Sequence, residues 1–502
     1  MKTRLTVFLV LVAACGSSAS THPDAPPAAP DAAPASLPDA AQPSPDAALA
    51  PDAQLPPDAT PAPDATFVQV GTLTLDYTGS ILSNVAGDFA GDGSTVIIFG
   101  GPHYLGENQP VPFKAVKVGT DGAIADVTTT LIAGAPFATH ARRALALDLN
   151  GDGRLDFFSA NHGWDRDPWP GEAQTLLLSR PDGRLEDKSA TLPPLVNFMH
   201  SAADGDLRQL GRPDLIMGQL GITTNPGLPD AYKGPNTTAD DKVGPFILRN
   251  QGAGSFTYDN LSLPPPVALP PYPDPDTPGK FTSVLLTEVN ADAYPDLVLG
   301  AEERSAVAGA FYYNDGNGRF DQSAQKLLPV GLFGAKNTIV VASLAVDLTG
   351  DGRKDLLFSE APATPSYYAG RRVQLLVNNG SGGFADQSAA RLPPQGDTST
   401  HWIQWLHVVD FDSDGDQDIF LQVSFRWPPD PPGDDDVLVY LNDGTGHFSK
   451  APPTMLPPRS VWNDLQPVDF NHDGKIDLVD LRTSLGDDAV PKVRITVYRR
   501  AP

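Results

Sequence analysis

One cysteine among 502 residues, at position 15, leaves no partner for an intrachain disulfide, so the chain is not a small cross-linked scaffold. Basic residues are scarce beside acidic ones: 35 Lys and Arg stand against 61 Asp and Glu, a formal charge of -26. That balance excludes a phosphate-backbone binder, whose affinity comes from Lys and Arg neutralising phosphates, and makes cations the better partners. The N-terminal apolar run, Leu5 to Ala14, falls well short of the ~20 residues of a bilayer span. HExxH, GxSxG and a catalytic cysteine are also missing, which removes three hydrolase classes. What is plentiful is glycine and proline, 46 and 52 residues, too many for a uniformly globular chain and too few for a wholly low-complexity one. The 40% hydrophobic content supports a substantial core in the remainder.

The N-terminus divides from the rest by composition. Lys2 and Arg4 precede the apolar run, and Val12-Ala13-Ala14-Cys15 resembles the lipobox of bacterial lipoproteins. The resemblance implies a signal peptide over 1–14, cleavage before Cys15 and lipid on that residue. With Gly16 rather than Asp next, it implies an outer-membrane or surface anchor. From Gly16 to Thr66 there is no Lys or Arg, and Pro-Asp-Ala recurs with Asp at 24, 31, 39, 46, 52, 58 and 64. Such a segment buries too little apolar surface to offset the entropy of ordering, so 15–66 is expected to be a lipidated, disordered tether.

Residues 67–502 are organised by one nonapeptide. Its complete copies are DLNGDGRLD from Asp148, DLTGDGRKD from Asp347, DFDSDGDQD from Asp410 and DFNHDGKID from Asp469. EVNADAYPD from Glu288 keeps acids at positions one, five and nine, whereas DFAGDGSTV from Asp88 and DLRQLGRPD from Asp206 are degenerate. The starts are 60, 58, 82, 59, 63 and 59 residues apart, the long interval holding an insertion around 221–242. Each copy lies between apolar, β-branched stretches. A second signal follows, as in NQGAGSF at Asn250, NDGNGRF at Asn314, NNGSGGF at Asn378 and NDGTGHF at Asn442, with weaker versions near Asp121 and Asp182. Asn and Gly tolerate the positive φ of tight reversals, so these read as hairpins. Each unit is then strand A, acidic loop, strand B, connection, strand C, hairpin and strand D. That predicts an all-β, seven-bladed propeller of four-stranded blades. The last unit stops before its hairpin, and Phe67 to Leu75 can supply its missing strand and close the ring.

These repeats resemble FG-GAP or VCBS repeats, the family that includes the integrin alpha-chain propeller, over the whole of 67–502. The eponymous residues are echoed in Phe99-Gly100-Gly101-Pro102 and in Phe358-Ser359-Glu360-Ala361-Pro362. The family spans adhesion proteins, lyase-like enzymes and lectins. The resemblance implies that the A to B loops share one face and the B to C and D to A connections the other, where partners usually bind.

Three or four carboxylates within nine residues repel unless a hard cation lies among them, and Ca²⁺ takes six to eight oxygens where Mg²⁺ demands strict octahedral geometry. The expected ligands are Asp148, Asn150, Asp152, the Arg154 carbonyl and Asp156; Asp347, Thr349, Asp351 and Asp355; Asp410, Asp412, Asp414 and Asp418; and Asp469, Asn471, Asp473 and Asp477. Glu288, Asn290, Asp292 and Asp296 form a fifth candidate. Without the Glu at position twelve and the flanking helices, the loops are not EF-hands. Plain Asx turns between strands are the alternative reading.

On the other face, Trp164, Trp169, Trp427, Tyr367 and Tyr368 fall in connections, where aromatics suit a sugar or protein surface. Trp402, Trp405 and Trp462, on or before strand A, read as blade packing. Basic residues gather at strand A entries, His140, Arg142, Arg143, His200, Lys280, Lys336, His401 and Arg459, and suit either charge balance or an anionic ligand. The resulting expectation is a monomeric, calcium-stiffened binding or adhesion module on an outer membrane or cell surface. It meets the membrane only through its lipid and binds an extracellular protein or glycan, not nucleic acid. The alternatives are a lectin-like or polysaccharide-processing propeller, with Glu302, Glu303, Glu360, Asp165 and Asp167 as its carboxylates, and a structural envelope protein.

Overall fold

The computed structural model describes residues 67–104, 106–166, 170–219, 245–263, 281–300, 309–363, 370–395, 402–423, 437–457, 465–485 and 490–501. Cys15, the tether and the 221–242 insertion lie outside these residues.

Seven antiparallel sheets follow one another along the chain, the first six each built in sequence order from a unit of the repeat and the seventh completed by the first strand of the described residues. Blade one comprises Ser83–Gly87, Thr95–Gly100, Lys114–Val118 and Ile124–Asp126. Blade two comprises Ala141–Leu147, Asp156–Asn161, Thr175–Ser179 and Leu185–Asp187, with Ile132–Ala133 added in parallel at its outer edge. Blades three to six begin at Met199–Gly205, Val284–Thr287, Thr338–Val346 and Ile403–Val409. Blade seven takes Leu465–Val468, Asp477–Leu485 and Pro491–Arg500, and its outer strand is Phe67–Asp76, paired from Phe67 opposite Arg500 to Asp76 opposite Lys492. The first strands of successive blades from one to six touch one another, which places them at the centre of the ring.

The second strands are short apolar runs because both of their faces are covered. In Asp355–Pro362, Leu357 packs in the core shared with blade six and Leu356 and Phe358 in the core shared with blade four. A hydrophobic cluster of this kind joins every neighbouring pair, including the seventh with the first, where Val479, Leu481, Val493 and Ile495 meet Ile97, Phe99 and Val116. Trp402 belongs to one of these clusters and is fully buried.

Two repeated devices carry more than their sequence motifs suggest. After strand D, an Asp two residues ahead of a Ser or Thr accepts its N–H: Asp126 from Thr128 and Asp386 from Ser388, both at 2.9 Å. The hydroxyl then accepts the N–H of Ala115 or Leu375 in strand C, so the short helices Thr128–Leu131 and Ser388–Arg391, unanticipated in the sequence, are turns pinned to the sheet. The hairpin asparagines do three jobs. Asn314 Oδ1 accepts the N–H groups of Gly316 and Gly318, its own N–H donates to Asp296, and its Nδ2 donates 2.9 Å to the Leu207 carbonyl in the acidic loop of the previous blade. Asn250, Asn378 and Asn442 reach Leu149, Val289 and Leu348 in the same way. These side chains staple adjacent blades.

Candidate metal centres

Each acidic loop is braced by its own first residue. In the loops from Asp148, Asp347, Asp410 and Asp469, that Asp accepts the backbone N–H groups of positions five and six, at 2.7–3.2 Å. The degenerate loops do the same through Asp88 and Asp206, so the turn itself needs only Asx chemistry. Position five caps the N–H of position seven: Asp152 for Arg154, Asp292 for Tyr294, Asp351 for Arg353, Asp414 for Asp416 and Asp473 for Lys475. Position three does likewise for position five through Asn150, Asn290, Asp412 and Asn471, while Thr349 offers only a hydroxyl.

Position nine starts the second strand and is buried in every blade that has it: Asp156, Asp214, Asp296, Asp355, Asp418 and Asp477 are all at 0% exposure. Its Oδ1 accepts the N–H that ends strand C, from Ser179, Asn250, Asn314, Asn378, Asn442 and Arg500 respectively, at 2.6–3.0 Å. In four blades Oδ2 accepts the N–H of position two, from Leu149, Val289, Leu348 and Phe411. This residue therefore ties three strands together as well as facing the loop, a role that the pattern of acids alone does not reveal.

Burial, with neighbouring carboxylates adding to it, opposes ionisation here. It pushes Asp418 up to about 8, Asp296 to about 7 and Asp156, Asp412 and Asp477 to about 6, and raises Asp355 and Asp410. In blade six, Asp410, Asp412 and Asp418 each place an oxygen within 4.8 Å of the others, with Asp412 only 2% exposed. Arg500, stacked over Phe411 and Phe67 and bonded to Ser413, brings one positive charge beside them. The donor set, all oxygen and convergent, fits a calcium-sized ion.

The degenerate loops supply their own cations. At position three of the third loop, Arg208 donates Nη2 to Asp214 Oδ1 at 2.9 Å and Nε to Oδ2 at 3.3 Å, and Arg249 adds a third contact at 3.1 Å. Lys117, in strand C of blade one, pairs with Asp92 of the first loop at 2.6 Å, and this hydrogen bond leads the effects that hold the Asp92 carboxyl near 2. Those two loops do not fit a metal. In blade five Arg353 pairs with Asp351, which leaves Asp347 and Asp355 as that loop's open acids.

A sequence profile of FG-GAP-like repeats matches residues 288–358, 347–421 and 426–479. Over those residues the chain carries FG-GAP-like repeats. Its described residues form a seven-bladed β-propeller. None of the curated proteins matches it. Among solved structures, the chain is similar to the V. cholerae biofilm matrix protein Bap1, at 11% identity over 88% of this chain and 92% of that one, with a TM-score of 0.37. It is also similar to a putative exo-beta-1,3-galactanase from Bifidobacterium bifidum s17, at 11% identity over 64% and 94% with a TM-score of 0.35. The C-terminal domain of Pseudomonas aeruginosa PilY1 is similar at 12% identity over 82% and 81%, with a TM-score of 0.27.

Of the aromatic residues expected on the opposite face, Trp164 is half-buried, while Trp169, Trp427, Tyr367 and Tyr368 lie outside the described residues. Lys280, Glu302, Glu303, Asp167, His401 and Arg459 lie outside them too. Glu360 is fully buried in the second strand of blade five, and its Oε2 accepts the Leu332 N–H at 2.7 Å. Burial pushes its carboxyl up to about 8, with Asp386 adding to it, against the opposing pull of the Leu332 hydrogen bond and, less, of Arg372. A carboxylate raised in the folded state binds its proton more tightly than in the unfolded chain, so its contribution to stability is lost as pH climbs from about 4 to about 8. Glu360→Gln is therefore expected to flatten the pH dependence and to stabilise the protein by roughly 2–4 kcal/mol at pH 9. Urea midpoints of both proteins from pH 5 to 9 measure it; parallel curves would refute the assignment.

Proposed function

We propose that this is a cell-envelope lipoprotein whose propeller, stiffened by calcium, acts as a binding or adhesion module. The observation that carries the calcium part is the blade-six cluster, where three carboxylates converge, with Asp412 and Asp418 buried. Supporting it, the two loops with broken acid patterns each carry a side-chain cation on their acids, Arg208 in one and Lys117 in the other. Ca²⁺ takes that place in the loops from Asp148, Asp347, Asp410 and Asp469, with the loop from Glu288 as a fifth candidate. Its role is structural: it offsets carboxylate repulsion at turns that join strands A, B and C.

The binding part rests on the connections opposite the acidic loops, through which Trp164, Trp169 and Trp427 pass. Lipid on Cys15 and the Pro-Ala-Asp tether hold the domain off an outer membrane or cell surface, as a monomer presenting that face to an extracellular protein or glycan. Binding of the full chain to microbial and plant polysaccharides, with and without chelator, tests the reading. Trp164→Ala with Trp427→Ala is expected to weaken a saturable interaction at least tenfold while shifting Tm by no more than about 2 °C. Undiminished binding by the double variant would remove the aromatic face from the account.

A further inference from the structure

Away from the acidic loops, three imidazoles and a carboxylate meet where blades two and three adjoin. His140 precedes the first strand of blade two, His162 follows its second strand, and His200 lies at the start of blade three. All three are buried, and Asp165, three residues beyond His162, has a side chain 17% exposed. His162 is central, its ring centroid 4.7 Å from that of His140 and 4.8 Å from that of His200. Its Nε2 is 3.0 Å from His200 Nε2 and 3.9 Å from Asp165 Oδ1. One ligand atom each of His140, His162 and Asp165 falls within 4.8 Å of the others. In a tetrahedral site with metal–ligand bonds of ~2.0–2.1 Å, neighbouring ligand atoms lie roughly 3.3 Å apart, a value that the two His162 separations bracket.

We propose that His140, His162 and Asp165, with His200 as the fourth ligand, bind a divalent transition metal of the zinc class. Three imidazole nitrogens and one carboxylate oxygen are a borderline donor set, which selects such an ion over the hard Ca²⁺ of the acidic loops. The surroundings orient the ligands. Glu172 accepts the N–H groups of Thr139 at 2.7 Å and His140 at 3.2 Å, fixing the backbone that carries the first imidazole. The Gly163 carbonyl lies 3.2 Å from His162 Nδ1 and accepts the hydrogen bond of its N–H, which leaves Nε2 as the ligating atom.

Without the ion, one set of tautomers satisfies His162 and His200. Arg142 Nη2 donates to His200 Nδ1 at 3.2 Å, His200 Nε2–H donates to His162 Nε2, and His162 Nδ1–H donates to Gly163. The metal takes the place of the proton between the two rings. His200 then carries its proton on Nδ1 and gives up the Arg142 contact, so the pair changes tautomer and releases no proton.

Calorimetric titration of the full chain with Zn²⁺, in excess Ca²⁺ and Mg²⁺, tests the site. The expected result is one ion bound with Kd below about 1 µM, and Co²⁺ in its place giving the intense visible bands of tetrahedral coordination. His162→Phe and Asp165→Asn should each weaken binding at least tenfold and abolish those bands. Asp165→Asn changes a partly exposed loop residue and should melt without metal as the parent does, so it stands as the test if His162→Phe fails to fold. Binding weaker than about 100 µM, or equal binding by parent and variants, would overturn the proposal.

Discussion

Chelation of calcium should lower the melting temperature of the full chain by about 10 °C. Four sites, each held at 100 times its dissociation constant, contribute about 2.7 kcal/mol apiece. An unfolding entropy of about 2.1 cal/mol/K per residue converts that total into a shift of this size for a propeller of this length. The structural reason is the density of buried acid. Asp156, Asp296, Asp355, Asp418 and Asp477 are fully buried, and burial resists the ionisation of each. Scanning calorimetry in Ca²⁺ and in EGTA gives the difference, and a shift below about 2 °C would mean that the turns stand on their Asx hydrogen bonds alone.

Asp418→Ala should be the most damaging single change in the acidic loops, costing about 3–5 kcal/mol even in EGTA. It leaves the N–H groups of Phe411, Asp412 and Asn442 without their acceptor, all in a buried setting where each orphaned donor costs about 1–3 kcal/mol. Asp418→Asn separates the two roles of this residue. It removes the charge and keeps one acceptor oxygen where the carboxylate uses two, so in EGTA it should cost less than Asp418→Ala, about 1–3 kcal/mol for the N–H left facing its amide nitrogen, while about a quarter of the calcium-dependent gain disappears. If Asp418→Ala were as stable as the parent in EGTA, the residue would be a metal ligand without a structural clip. In blade three the corresponding change, Asp214→Ala, removes the carboxylate that Arg208 and Arg249 share, leaving Arg249 its pair with Asp259 and Arg208 the Asn250 carbonyl, and its cost should be the same with or without calcium.

The seven units, the hairpins and the blades themselves were legible because each rests on chemistry that a short peptide shows by itself. Asp, Asn and Gly at fixed offsets make the turns, and apolar runs between them make strands covered on both faces. What was not legible depends on partners from other blades. Asn314 reads as a turn residue, yet its amide reaches Leu207, 107 positions away. Arg208 reads as decay of the acidic pattern, and only the fold shows it laid against Asp214. His162, in a segment noted for its tryptophans, has no ligand spacing of its own. It becomes visible once the strands place the end of one blade's second strand beside the entries of two first strands, where His140 and His200 had already stood out as basic residues. Trp402 shows the opposite limit, since its burial between blades was readable from its place at a strand A entry.

The central claim is that the loops keeping their acid pattern take calcium and the two degenerate loops, from Asp88 and Asp206, do not. Counting the calcium bound by the full chain at saturation, by equilibrium dialysis and elemental analysis, tests it most directly. The account predicts four ions, or five with the loop from Glu288 filled, and one fewer after Asp410→Ala with Asp414→Ala. A count of none or one, or a count unchanged in that double variant, would contradict it.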